Sequence, residues 1–98
     1  MFSEEFERQI RAQYGNRGKK ALEIAGDRRV KRYRDFYVVV GETSEYIVEG
    51  DLCTCRDFLF KASRNTIKCG HIIAVEIAEQ EGLVDAIDAW YHEVSPLP

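Results

Sequence analysis

The chain has 98 residues, 45% of them hydrophobic and 32% charged, with two prolines and a formal net charge of −3. That is one domain's length, 1–98, and the composition excludes a disordered tail, a collagen-like repeat or a low-complexity chain. The apolar run Ile72-Ile73-Ala74-Val75 stops at Glu76, and an acidic start, Ser3-Glu4-Glu5-Phe6-Glu7, stands where a secretory leader would be basic and then apolar, so neither a membrane span nor export is expected.

A chain this short buries roughly 60–65% of its unfolded surface, which leaves a metal or a partner much to add to its stability. The expected location is cytoplasmic, or nuclear in a eukaryote.

Taken in chain order, Ser3 is placed to cap a first helix over 3–14, since Glu4, Glu5 and Glu7 suit a helix N-terminus and Phe6, Ile10 and Tyr14 recur every four residues. Gly15 closes it. Asn16 is placed to cap a second, shorter helix carrying Ala21, Leu22 and Ala25, which Gly26 stops. From Arg29 the period changes to two. Residues 29–33 alternate, Asp35 to Val40 is rich in β-branched and aromatic side chains, Gly41 to Glu45 reads as a turn, and Tyr46-Ile47-Val48-Glu49 returns before Gly50-Asp51. These segments predict a β-hairpin, or a three-stranded meander if 29–33 joins. Residues 56–68 read as an irregular loop anchored by Phe58, Leu59 and Phe60. A third helix is predicted from Cys69-Gly70 to Gly82, apolar on nearly all sides before Glu79 and therefore buried. Leu83, Ile87, Trp90 and Tyr91 fit a last helix over 83–92, with the tail ending in Pro96 and Pro98. The fold class is α+β: N-terminal helical segment 1–27, a central module 28–82, and C-terminal helix and tail 83–98.

Cys53-Thr54-Cys55 and Cys69-Gly70-His71 hold all three cysteines and one of the two histidines. An odd number of thiols in a reducing compartment argues against a disulfide framework. Two ligand pairs, each on one short segment, supply the four soft or borderline donors that a tetrahedral Zn²⁺ prefers. Four protein ligands leave no position for water, so the expected ion, one Zn²⁺ per chain, is structural and the chain is not expected to be an enzyme. Three Cys and one His also hold [2Fe–2S] clusters, usually with a wider gap between the last Cys and the His, and colour separates the two. Asp57, two residues past Cys55, is placed either to accept a hydrogen bond from the ring of His71 or to cap the next turn. His92 lies outside the pattern.

The C-x-C, gap, C-x-H arrangement resembles the SWIM zinc finger. The resemblance covers about residues 28–82: a hairpin ending in Tyr46-Ile47-Val48-Glu49-Gly50-Asp51 leads into Cys53-Thr54-Cys55, and Cys69-Gly70-His71 opens an apolar helix. Arg56 stands where the family often has Pro, and Gly70 where Lys is common; neither is a ligand. The resemblance implies a ββα zinc fold that binds DNA or proteins without catalytic activity of its own. In size and content the chain is also similar to small SWIM subunits of recombination-mediator complexes, which pair with RecA-family recombinase paralogues. A protein-protein adaptor in DNA recombination or repair is the function this implies.

The charge is unevenly distributed. Residues 1–34 hold ten Lys/Arg against five Asp/Glu, and the other 64 hold four against twelve. Arg17, Lys19, Lys20, Arg28, Arg29, Lys31, Arg32, Tyr33 and Arg34 are therefore candidate nucleic-acid contacts, with Tyr33 a base-stacking platform, and they support the alternative of a direct DNA-binding regulator using 17–34. The plain alternative is a solvated edge strand, or cations that pair with Glu76, Glu79 and Glu81. Neither reading calls for a membrane or a small-molecule substrate.

Overall fold

The computed structural model of the chain describes residues 2–34, 36–41, 44–50, 52–55 and 68–87. Among these residues are three helices, α1 (Glu4–Tyr14), α2 (Asn16–Gly26) and α3 (Gly70–Glu81), and five strands, β1 (Val30–Arg32), β2 (Tyr37–Val40), β3 (Glu45–Glu49), β4 (Leu52–Cys53) and β5 (Asp85–Ala86). The strands form one mixed sheet in the order β4-β3-β2-β1-β5, antiparallel except for the β1–β5 pair.

Helix α1 starts as its sequence dictates: the Ser3 hydroxyl accepts the Phe6 N–H at 3.1 Å and satisfies one of the donors that a helix N-terminus leaves open. Its stripe of Phe6, Ile10 and Tyr14 rests half-buried on the core, and none of its residues is fully buried. Gly15, at φ 64°, ends α1 and also caps α2, so Asn16 is the first residue of α2 rather than its cap. Close approach of the two helices depends on Gly18, where a Cβ would meet the Ile10 carbonyl oxygen at 2.7 Å and the Tyr14 Cβ at 3.0 Å. Helix α2 buries Gly18, Ala21, Leu22, Ile24 and Ala25, and its long contact with α3 forms the centre of the core.

Strand alternation decides what the sheet shows to the helices. The register pairs Val30 with Val39, Val39 with Tyr46, and Val48 with Tyr37 and Cys53. These residues therefore share one face, the face on which α3 lies. Val30, Val39 and Val48 are sealed there with Ile72, Ile73 and Ile77 of α3. The helix ends on Gly82 in the left-handed conformation, φ 69°, with its N–H bonded to the Ala78 carbonyl.

Here the chain departs from the expected helix over 83–92. Asp85 and Ala86 run parallel to β1, opposite Lys31 and Arg32, and the Ile87 N–H donates to the Arg32 carbonyl at 2.8 Å. The open edge of β1 offers hydrogen bonds that a helix of so few residues after a left-handed cap would have to assemble from nothing, and nucleation is the costly step of a helix. Residues 88–98, including Trp90, Tyr91 and His92, lie outside the described residues, as do 56–67 of the expected loop. No helix among the described residues is long and apolar enough to cross a membrane.

Candidate metal centre

Gly50, at φ 59°, reverses the chain after β3, so that Leu52 pairs with Glu49 and Cys53 with Val48. Cys53 thereby sits at the end of a strand on the helix-facing side. Thr54, the residue between the two ligands, is tied twice to β3: its N–H donates to the Ile47 carbonyl at 3.1 Å, and its hydroxyl accepts the Ile47 N–H at 3.0 Å. The turn is closed by these bonds and carries Cys55 back toward α3. From the other side, Cys69 is the N-cap of α3 and His71 its second residue. One pair of donors hangs from a strand end and the other from a helix start.

All four side chains are buried, and their ligand atoms lie within 4.8 Å of one another. Cys53 Sγ and His71 Nδ1 are 3.7 Å apart. A tetrahedral ion with metal–sulfur bonds of about 2.3 Å holds its ligand atoms about 3.8 Å apart, so the four donors need close by an ångström at most. With Nδ1 turned to the thiols, Nε2 is the nitrogen left to carry the hydrogen of a neutral ligating imidazole. The ring is held from its face by Tyr46, stacked at a centroid distance of 4.3 Å and an interplanar angle of 25°.

The electrostatics of the cluster favour a cation. The Cys53 thiol is pushed far above its ordinary range, first by hydrogen bonding with Cys55 and Cys69 and then by burial. Cys69 is raised on balance as well: its bond with Cys53 lowers it, but Cys55 and burial outweigh this. Buried thiols this close cannot ionise together without a counter-charge. The backbone is nevertheless arranged for thiolates. The Cys55 N–H favours ionised Cys53, the Ile72 N–H favours ionised Cys69, and Cys69 also sits at the positive end of a helix. Four convergent donors with such support can hold a metal ion in a closed shell.

The basic candidates do not converge in this way. Arg32 faces α3 and pairs with Glu79 at 3.4 Å, and Lys68 pairs with Glu76 at 2.7 Å, so α3's acids do draw cations to it. Arg29 pairs with Asp27 at 3.3 Å. Lys31 points to the opposite face of the sheet, and Arg17 is half-buried on α2 while Lys19, Lys20, Arg28 and Arg34 are exposed. Tyr33 is 8% exposed, which corrects its reading as a base-stacking platform: a ring enclosed by protein has no open face for a base. Asp57 lies outside the described residues.

Tyr46 and Thr54 are the site residues that spacing alone does not reveal. The signal for Thr54 was its place between two ligands, and for Tyr46 its place two residues before the Val48 that pairs with Cys53.

No family model matches the chain, and no solved structure matches it. A protein of Archaeoglobus fulgidus named "Uncharacterized protein" is 53% identical over 78 residues, which span 80% of this chain and 67% of that protein. At that identity over that much of both chains, this chain belongs to one family with the Archaeoglobus fulgidus protein.

Proposed function

We propose that Cys53, Cys55, Cys69 and His71 bind one structural Zn²⁺ and that the chain is a SWIM-like zinc module working as a macromolecular adaptor. The observation that carries this reading is the convergence of four buried donors from a strand end and a helix start, within 4.8 Å. Three sulfurs and one imidazole nitrogen are the donor set of tetrahedral zinc. When bound, the ion neutralises the thiolates and joins the C-x-C turn to α3; the chain's own residues do the rest. Thr54 fixes the turn to β3, Tyr46 orients the His71 ring, and the Cys55 and Ile72 N–H groups hold negative charge on sulfur. With every coordination position taken by protein, the metal activates no water, and the module is not an enzyme.

An adaptor of this kind docks a protein partner, in the reading a RecA-family recombinase paralogue, and assists DNA recombination or repair in the cytoplasm or nucleus. The distribution of the basic residues favours it over an independent DNA-binding regulator. Arg29 and Arg32 are engaged by acids, Tyr33 is enclosed, and the remaining cations are split between faces.

Two measurements test the proposal. Elemental analysis of the purified, colourless protein is expected to give one zinc per chain; absence of metal, or the visible absorbance of an iron–sulfur cluster, refutes the metal reading. Co-expression with the recombinase paralogues of the source organism is expected to yield a stable complex that charge reversal at Arg29, Lys31 and Arg32 leaves assembled. Tight, sequence-specific DNA binding by the isolated chain would overturn the adaptor in favour of the regulator.

A further inference from the structure

Three of the four converging donors are sulfurs, and the fold holds them with unequal firmness. Cys69 caps α3, is fully buried, and its sulfur accepts the Ile72 N–H. Cys53 lies in β4, in register with Val48, and is hydrogen-bonded to both of the other sulfurs. Cys55 comes after the strand, on the turn that Thr54 fastens to β3. Strand β4 has two residues and stands at the end of the strand order, and Thr54 is exposed, so this turn is the part of the centre that opens at least cost. When it opens, Cys55 swings away while Cys53 and Cys69, fixed by a strand and a helix start, stay side by side.

From this arrangement we propose that the centre is a peroxide-responsive switch: hydrogen peroxide joins Cys53 to Cys69 as a disulfide and thereby releases the metal. The inference rests on the zinc reading for what is released, and on the sulfur geometry alone for the bond that forms. Burial selects the oxidant. With Cys53, Cys55 and Cys69 4%, 4% and 0% exposed, a brief opening of one short turn admits a small hydroperoxide and keeps out a bulky disulfide such as oxidised glutathione. A bond between Cys53 and Cys55 is disfavoured, because the single residue between them is itself tied to β3.

The Cys69 thiolate attacks one peroxide oxygen: an S–O bond forms, the O–O bond breaks, and the departing hydroxide takes up a proton and leaves as water. The Cys53 thiolate then attacks the sulfenic sulfur of Cys69; the S–S bond forms, the S–O bond breaks, and the hydroxide lost takes a second proton to leave as another water. Two sulfurs have supplied two electrons, and one peroxide has become two waters. Two of the four donors are thereby withdrawn, and the site no longer holds its ion. The new bond ties β4 to α3, the same neighbours that a bound metal joins, so the packing of α3 on the sheet survives. A disulfide stabilises less than a structural zinc, so thermal midpoints are expected to fall in the order loaded, oxidised, reduced and metal-free.

The test treats the whole chain, purified under reducing conditions and assayed for metal beforehand, with hydrogen peroxide in the presence of a chromogenic zinc indicator, and maps the alkylated products by mass spectrometry. One Cys53–Cys69 bond per chain is expected, with one zinc released per bond, Cys55 still open to alkylation after unfolding, and the starting state restored by a dithiol reductant with added zinc. Oxidised glutathione at equal concentration is expected to act at least tenfold more slowly. Thr54→Val, which removes no donor, is expected to speed the peroxide reaction about tenfold, because it loosens the turn. Sulfinic or sulfonic acids in place of a disulfide, a bond mapped to Cys53 and Cys55 or between chains, oxidised glutathione acting as fast as peroxide, or an unchanged rate in Thr54→Val each overturn the proposal. So does zinc that stays bound throughout. If the protein proves to carry no zinc and still forms the Cys53–Cys69 bond, the zinc reading fails while the sulfur pairing stands.

Discussion

Two groups of residues stand out in the sequence by type and spacing: three cysteines with a histidine over 53–71, and eight cations with a tyrosine over 17–34. The fold treats them in opposite ways. It gathers the first group within 4.8 Å and distributes the second over α2, both faces of β1 and the segments flanking it. The difference follows from what each pattern demands. A point ion needs its ligands at one place, so ligand spacing carries a long-range distance restraint in itself. A run of charges carries none, and in a strand the period of two sends neighbours to opposite faces. Arg32 goes toward α3, where Glu79 meets it, and Lys31 goes away. Clustering along the chain is thus a strong guide for metal ligands and a weak one for a basic surface.

Removing the proposed metal is the change that breaks the comparison most severely, because it turns the convergent group into a second set of mutually unfavourable side chains. Zinc binding in finger peptides is coupled to folding by about 10–16 kcal/mol, which exceeds the net stability of most domains of this size. Chelation is therefore expected to unfold the β3–β4–α3 half, seen as loss of α3 amide protection, and Cys69→Ala or His71→Ala to destabilise more than any apolar substitution. Because the Cys53 and Cys69 thiols are raised in the metal-free cluster, they are protonated at neutral pH, and loading an ion must expel their protons. Titration of metal into unbuffered protein is expected to release protons from Cys53 and Cys69, and affinity to fall steeply as pH is lowered. Metal loss that leaves the amide protection of α3 intact would show that the core, not the ion, holds the two ligand pairs together.

Next in size is Tyr46→Ala. The ring covers one face of His71 and packs against the core. Its removal deletes a large half-buried side chain and frees the imidazole to rotate. A loss of about 2–4 kcal/mol is expected, together with weaker metal retention against a competing chelator. Tyr46→Phe keeps the stacking and is expected to match the unaltered protein in metal content. If both variants lose metal equally, the hydroxyl and not the ring face is what holds His71. Thr54→Val follows: it keeps the shape but deletes the acceptor for the Ile47 N–H, with an expected loss of about 1–2 kcal/mol by thermal unfolding.

How legible these regions were depends on whether the deciding contact was local. Helices α1 and α3 begin and end within a residue of the expected positions, because Ser3, Gly15 and Gly82 act on their own neighbours. The meander was legible from alternation between Val30 and Val48. Strands β4 and β5 were not, since each has two residues and exists only because a partner edge is open beside it. Leu83 and Ile87 have helical spacing, yet the Arg32 carbonyl takes the Ile87 N–H into the sheet. At the site, the four donors that converge were legible and their supports were not. Thr54 and Tyr46 act across the β3–β4 turn and across to α3, and no spacing along the chain encodes that.

The smallest effect is expected where the sequence shows the most charge. Arg32 and Glu79 are paired at 3.4 Å with 50% and 40% of their side chains exposed, so water and salt screen them and little free energy is at stake. A double-mutant cycle with Arg32→Gln and Glu79→Gln is expected to give a coupling below about 1 kcal/mol that fades at high salt, with metal content unchanged. Tyr37 provides a local reporter. Burial and the Glu79 carboxylate raise its hydroxyl above the ordinary 10.0, while its bond with Arg32 lowers it. A raised acid favours the folded state while it is protonated, so this contribution is complete below pH 10 and disappears as pH climbs through the folded value. Glu79→Gln is expected to bring the Tyr37 titration down toward its ordinary value, and Arg32→Gln to move it further up, both read by ultraviolet absorbance. A coupling well above 1 kcal/mol would mean that this cation is a fixed part of the architecture, as the four converging donors are, and the contrast between the two groups would then stop at Arg32.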